Sequence, residues 1–341
     1  MKRSRFVALA LGTLTVGVAG SASNAMAQDA QLVGAGSTLV APLMAKWSLD
    51  FQGKNNIKVT YGAVGSGAGI AQITARTVDF GASDAPLSAA QAAACHGCVQ
   101  IPWALTATGI AFHIDGVKKL QLNSSVLSQI FQGQISMWND RRIKAINKGV
   151  SLPALKITPV FRSDGSGDTY AFTDFLSRTS PSWKGKVGFG TQVSFPTGVG
   201  GKGNDGVTAV VSSTNGAISY ISAAYIIAHG LKAAALQNAA GKFEYPNLKN
   251  IQAAADVVKR VPASNEMHIV APPKSAKTAY PLSTFTYAIV PKATPKASGL
   301  SKLVLYAMTD GQKYGPALDF ARIPPVVLKA AKNTLKQVKQ G

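Results

Sequence analysis

Three short stretches hold the residues best suited to chemistry in this chain: "GAGSTL" at 34–39, "GSGAGI" at 65–70 and "RSDGSGDTY" at 162–170. Each reads as the end of a strand, a turn rich in Gly and Ser, and a helix that begins at once. The first backbone N–H groups of a helix have no internal partners and lie at the positive end of its dipole, so each junction offers a seat for an oxyanion. Glycine lets the main chain approach such a ligand, and Ser and Thr add donors without adding charge. One Gly-Ser turn is ordinarily an N-cap and nothing more. Three in one chain, the last led by Arg162 with a guanidinium that can meet two oxygens of one anion, point to anion binding.

Other anion and catalytic chemistries lack their residues. A nucleotide phosphate loop needs Lys followed by Ser or Thr, but Lys202 is followed by Gly203. No G-x-S-x-G nucleophile turn is present. His96, His113, His229 and His268 fall in no ligand spacing, and His113 lies in an apolar strand as a core residue would. No metal, no cofactor and no enzymatic activity are therefore expected.

The elements that must position the three turns follow from hydrophobic period. Short apolar runs ("IKVTYGAV", "TGIAFHI", "ITPVFRS", "GAISYI", "FTYAIV") read as strands, and helical patterns lie between them. In the first helical pattern Leu39, Leu43, Trp47 and Phe51 recur every fourth residue. Alternation of this kind predicts α/β layers. The Gly-rich "FPTGVGGKGNDG" at 195–206 reads as loop.

At 341 residues, two lobes are expected. Residues 1–27 read as a cleaved signal peptide: Lys2, Arg3 and Arg5 precede an apolar run, and Ala25-Met26-Ala27 supplies the cleavage site before Gln28. The apolar run is shorter than the roughly 20 residues that span a bilayer. Export places Cys95 and Cys98 of "ACHGCV" in an oxidising compartment, where they can close a local disulfide. The formal charge is +20, of which the three signal residues supply 3, leaving +17 on the secreted form. The cations are scattered without a basic run interleaved with aromatics, so no nucleic-acid partner is expected. Solubility in an acidic habitat, or attraction of anions into a cleft, accounts for the excess.

The segments "GAGSTLVAPLMAKW", "GSGAGIAQI", "VDFGASDAPLS", "RSDGSGDT" and "GGKGNDGV", with "GQISMWND" and "GAISYI", resemble in order the signatures of the periplasmic phosphate-binding proteins, the PstS family, across nearly the whole secreted chain. These are receptors that feed a high-affinity phosphate ABC importer. The resemblance implies the type II two-lobe periplasmic-binding-protein fold with hinge strands: one discontinuous lobe of 28–112 plus 284–341, and a second of 113–283. It implies a periplasmic monomer that takes inorganic phosphate and presents it to a membrane permease. Carried over by motif, the phosphate-binding residues are Thr38, the backbone of Leu39, Ser66, Asp84 as acceptor carboxylate, Arg162, Ser166 and Gly167. Leu39 replaces a Phe common in relatives, a mild change for a main-chain contact. Asp168 stands where many relatives have Thr, so Thr169 is assigned the missing hydroxyl.

Acids belong in such a pocket if the anion brings protons. Phosphate near neutral pH carries one or two, and sulfate none, so a buried carboxylate accepts a short O–H···O bond from the first and repels the second. Asp84 is expected to discriminate in this way. Asp168 is expected to accept a second ligand proton, with a helix-start role or pairing with Arg162 as the alternative, and Asp164 reads as a turn residue and partner for Arg162. Arsenate shares phosphate's protons and shape and is not separated by this reasoning. The rivals are a receptor for another oxyanion, a secreted phosphoryl-transfer enzyme, which would need a nucleophile and base or a metal cluster, and an adhesion protein with a vestigial pocket.

Overall fold

The structure, a computed structural model, describes residues 31–341; the segment read as a signal peptide, with its cleavage site, lies outside them. The strands are β1 (Gln31–Gly36), β2 (Lys58–Ala63), β3 (Phe80–Ser83), β4 (Cys98–His113), β5 (Gln121–Leu122), β6 (Thr158–Arg162), β7 (Val199–Gly201), β8 (Ala217–Ser222), β9 (Lys232–Gln237), β10 (Phe243–Glu244) and β11 (Ser283–Pro291). They form one eleven-stranded sheet with the main order β2-β1-β3-β11-β4-β8-β6-β7, and β9 joins β4, β5 and β10 to one another off that path.

The sheet has two halves that meet on one strand. In the first, β1 runs parallel to β2 and β3. In the second, β6 runs parallel to β7 and β8. β4 belongs to both: residues 98–107 pair antiparallel with β11, and 108–113 pair antiparallel with β8. Parallel neighbours need helical crossovers, which cover both faces and make the strands continuously apolar. β4, although antiparallel to its neighbours, lies mid-sheet under packed helices and is buried from Gln100 to Phe112.

Each half has an aromatic centre. In the first, Trp47 from the Ala41–Asn55 helix meets Trp103 of β4 edge-on, centroids 5.4 Å apart. Their indole N–H groups donate to Gly311 O at 2.9 Å and Thr286 Oγ1 at 2.7 Å, so neither buried polar atom is stranded. In the second, Phe172 stacks on Tyr220 at 4.5 Å and meets Phe131 at 4.8 Å. Thus the aromatics fix where the helices lie on the sheet.

Two readings from sequence need correction. The helix after β1 does not begin at once: residues 37–40 form an open turn, and the helix starts at Ala41 with a proline in its first turn. Leu39 is buried ahead of the helix and not on its stripe. Residues 195–206 are only partly loop, because they contain β7 and open the Gly203–Ser213 helix. Their glycines mark close approach: a Cβ on Gly201 would lie 2.6 Å from Val207 N.

The Ser66–Thr74 helix sits on β1 and β3 at backbone contact. A Cβ on Gly69 would overlap Gly36 Cα and lie 2.7 Å from Ala35 O. Replacing Gly69 with Ala is expected to cost about 1–3 kcal/mol, because the obstructing atoms are main chain and cannot rotate away. Urea unfolding should show a lower midpoint with an unchanged slope; an unaltered midpoint would refute this packing.

Candidate functional site

The turns after β1, β2, β3, β6 and β7 leave the carboxyl ends of their strands and meet where the two halves of the sheet face each other. Ligands of open α/β sheets occupy this position. Ser37, Thr38, Ser66, Asp84, Arg162, Ser166, Asp168 and Asn204 are all buried there.

Asp84 follows β3 directly and is held by hydroxyls. Ser37 Oγ lies 2.7 and 2.6 Å from its two oxygens, and Ser66 Oγ donates to Oδ2 at 3.3 Å. Ser66 opens its helix after Gly65, whose φ of 93° suits glycine. The same hydroxyl accepts from Gly167 N at 3.2 Å, and so joins the first half to the second.

Asp168 is in the first turn of the Gly167–Thr179 helix, which Ser166 caps by accepting from Thr169 N at 3.2 Å. Its Oδ1 accepts from Thr108 at 2.7 Å. Its Oδ2 accepts from Arg162 Nη1 at 3.2 Å and from Asn204 Nδ2 at 2.8 Å. Asn204 also donates to Thr38 Oγ1 at 2.8 Å and accepts from Ser222 N at 3.0 Å. Arg162, the last residue of β6, gives Nε and Nη2 to the two oxygens of Asp164, with Nε at 2.8 Å from Oδ1. Gly203 N donates to the same Oδ1 at 2.9 Å.

Two carboxylates therefore pair with one guanidinium, and a third, Asp84, lies within the reach of its charge. Burial, and then the Asp168 charge, pushes Asp84 up to about 7 against the pull of Ser37, Arg162 and Ser66. Burial also raises Asp168, although Arg162, Thr108 and Asn204 oppose it. Asp164 moves the other way: burial would raise it, but the hydrogen bonds and charge of Arg162 hold its carboxyl below the usual range. Arg162 stays charged despite its burial because Asp164 and Asp168 face it. The two inner acids thus tend toward the neutral form while the outer one remains the ion-pair partner.

The halves touch through main chain as well. Gly67 N donates to Gly165 O at 2.9 Å, and a Cβ on Gly165 would lie 3.0 Å from Gly67 Cα. A Cβ on Gly167 would overlap Asp84.

The residues singled out in the sequence, namely Thr38, Ser66, Asp84, Arg162, Ser166, Gly167 and Asp168, come together, with buried Leu39 beside Thr38. Asp164 takes the fork of Arg162, as expected, leaving its outer N–H groups for other partners. Two details differ from expectation. Asp168, expected to face a ligand proton, instead shows its alternative and pairs with Arg162. Thr169 turns its hydroxyl to Tyr220 OH at 2.8 Å, and that phenol also accepts from Arg162 N at 3.0 Å. Sequence reasoning missed Ser37, Thr108, Asn204 and Tyr220. Asn204 lay within the quoted "GGKGNDGV"; Thr108, in an apolar strand, gave no signal. Cys95 and Cys98 form the expected disulfide, with Arg76 Nη1 at 3.4 and 3.2 Å from the two sulfurs. Among the described residues no group of three or more His, Cys, Asp or Glu is placed to hold a metal ion.

The chain is similar to known proteins over most of its length. A family model for the PBP superfamily domain matches residues 21–310. The phosphate-binding protein PstS of Xylella fastidiosa is 37% identical over 308 residues, covering 89% of this chain and 84% of that protein. PstS of Pasteurella multocida is 36% identical over 308 residues, 89% of each chain. PstS of Methanocaldococcus jannaschii is 34% identical over 335 residues, 89% of this chain and 85% of that one. Among solved structures, a high affinity periplasmic phosphate-binding protein (PfluDING) bound with phosphate matches with a TM-score of 0.74 at 20% identity, over 89% of this chain and 93% of that one. The phosphate binding protein from Stenotrophomonas maltophilia matches at 0.69 and 17%, with the same coverage. These two likenesses establish the fold, the two-lobe α/β architecture of the periplasmic binding proteins.

The raised Asp84 makes unliganded stability depend on pH. The folded state binds a proton that the unfolded chain releases above about 4, so stability is expected to fall as pH rises from there to about 7 and then level off. Asp84→Asn should remove that slope, a change on the order of a few kcal/mol between pH 5 and pH 8. Denaturant curves at both values test it; parallel pH profiles for wild type and variant would disprove it.

Proposed function

The chain belongs to the PstS family of phosphate-binding proteins within the PBP superfamily, and from that premise we propose that it is an extracytoplasmic receptor that binds inorganic phosphate between its two lobes and delivers it to the permease of an ABC importer. The observation that carries this reading is Asp84, a buried carboxylate whose oxygens are held by the hydroxyls of Ser37 and Ser66. Such hydroxyls can rotate toward an incoming oxyanion. The acid they leave is then free to accept the anion's own O–H.

In this proposal phosphate replaces its hydration shell with the hydroxyls of Thr38, Ser66 and Ser166, the main-chain N–H groups of Leu39 and Gly167, and the outer N–H groups of Arg162. Asp84 takes one ligand proton. Because its own affinity for a proton lies near neutrality, the proton can sit on either partner at little cost, and the bond between them is short and charge-assisted. Asp168 takes a second proton through Oδ1, on which Thr108 is the single hydrogen-bond donor among the described residues. Thr169 and Tyr220 position Arg162 and the helix start. No step of bond making is required, and we assign the protein no catalysis. The lobes proposed are 28–112 plus 284–341 and 113–283, and the ligand favours the closed form by contacting both. A local disulfide fits a periplasmic address, since such bonds persist in oxidising compartments. The protein is proposed to act as a monomer.

Calorimetric titration is expected to show phosphate binding, arsenate competing with it, and sulfate weaker by about 30-fold to several thousand-fold, the equivalent of roughly 2–5 kcal/mol for a mispaired buried charge. Asp84→Asn should weaken phosphate or relax the discrimination; if neither changes, Asp84 is not the acceptor.

Acceptance of a second proton by Asp168 predicts tighter phosphate binding at pH 5 than at pH 8, and a smaller difference in Asp168→Thr. Equal dissociation constants for the wild type at the two pH values would exclude that role.

A further inference from the structure

A second place where the two halves meet lies away from the ligand cluster. Residues 264–267 precede β11 and, although the proposed lobe bounds count them with 113–283, their hydrogen bonds fasten them to the half that carries Asp84. Gln100 of β4 donates to Ser264 O at 2.8 Å, Asn265 Nδ2 donates to Gln100 O and Thr334 Oγ1, both at 2.8 Å, and Tyr287 OH of β11 accepts from Met267 N at 3.3 Å. The next residue, His268, reaches the Gly167–Thr179 helix of the other half, whose first turn carries Gly167 and Asp168.

The groups facing the imidazole come from both sides. Its Nε2 lies 3.0 Å from Glu266 on its own segment. Its Nδ1 lies 3.6 Å from Asp174 Oδ2 on the helix, and the Tyr170 ring, one turn earlier on that helix, is 6.3 Å from it. Arg178 Nε holds the other Asp174 oxygen at 2.7 Å. Asp174 is 2% exposed, and its Oδ2 has no hydrogen-bond partner. A neutral imidazole has one N–H and can donate to Glu266 or to Asp174; an imidazolium donates to both.

We infer that His268 is a positioning residue for ligand binding: in its protonated form it fills the open oxygen of Asp174 and so holds the ligand-bearing helix against the opposite half, favouring the closed receptor. This rests on the phosphate-receptor reading. Asp174 and Glu266 raise the affinity of His268 for its proton above the ordinary histidine value, against burial and Arg178. If lobe opening parts His268 from Asp174, the gain in ligand affinity is fully present below the ordinary pKa near 6.5 and disappears as pH rises through the raised value.

The test is titration of wild type and His268→Gln with inorganic phosphate from pH 5.5 to pH 8.5. Dividing the two dissociation constants at each pH cancels the ligand's own ionisation and any contribution of Asp168. The ratio is expected to be close to 1 at pH 8.5 and to rise to about 2- to 5-fold at pH 5.5, the size of one half-exposed ion pair. Asp174→Asn should give the same profile, and the double variant no more than either. Nuclear magnetic resonance of the wild-type His268 ring should show a higher pKa with phosphate than without, a readout independent of how the variants fold. A flat ratio or an unchanged ring pKa in a wild type that binds phosphate overturns this inference alone. A wild type that binds no phosphate removes the receptor reading along with it.

Discussion

Two acids and one guanidinium are buried close together, and most of the molecule's architecture answers to that fact. Asp84 and Asp168 cannot both be ionised at little cost when the nearby cation, Arg162, is already paired to Asp164. The chain responds with dipoles: hydroxyls from Ser37, Ser66 and Thr108 and the amide of Asn204 meet the two inner carboxylates. Uncharged donors suit a receptor, because they can face a carboxylate at one moment and an oxyanion at the next without leaving a charge stranded.

The sheet explains how donors so far apart in sequence converge. β4 is shared between the halves, and Thr108 stands where its pairing passes from β11 to β8. A residue at that changeover reaches Asp168 from beneath while the strand-end turns approach from either side. Asn204 spans the gap from the other direction, tying Thr38 to Asp168 and to the end of β8.

What was legible in the sequence was local. Ser66, Arg162 and Ser166 could be found because a strand, a Gly-Ser turn and a helix start follow one another within a few residues. The α/β alternation was legible for the same reason, since period is a short-range property. Asp84 needed the family resemblance. Thr108 and Tyr220 were hidden among strand residues whose pattern reports only burial, and their roles depend on which turn lies above them. Asn204 was obscured because glycines dilute both helical and strand signals, so a strand and a helix start read as loop. The pairing of Arg162 with Asp164 was legible because the two stand two residues apart; its second pairing, with Asp168, was one of two readings that spacing alone does not separate.

The seam between Gly67 and Gly165 closes with main chain against main chain. Peptide groups are the same whatever residues flank them, so this part of the jaw's fit is insulated from drift in most neighbouring side chains. A change of side chain in the cluster, at Asp168 for example, would therefore leave this bite as it is.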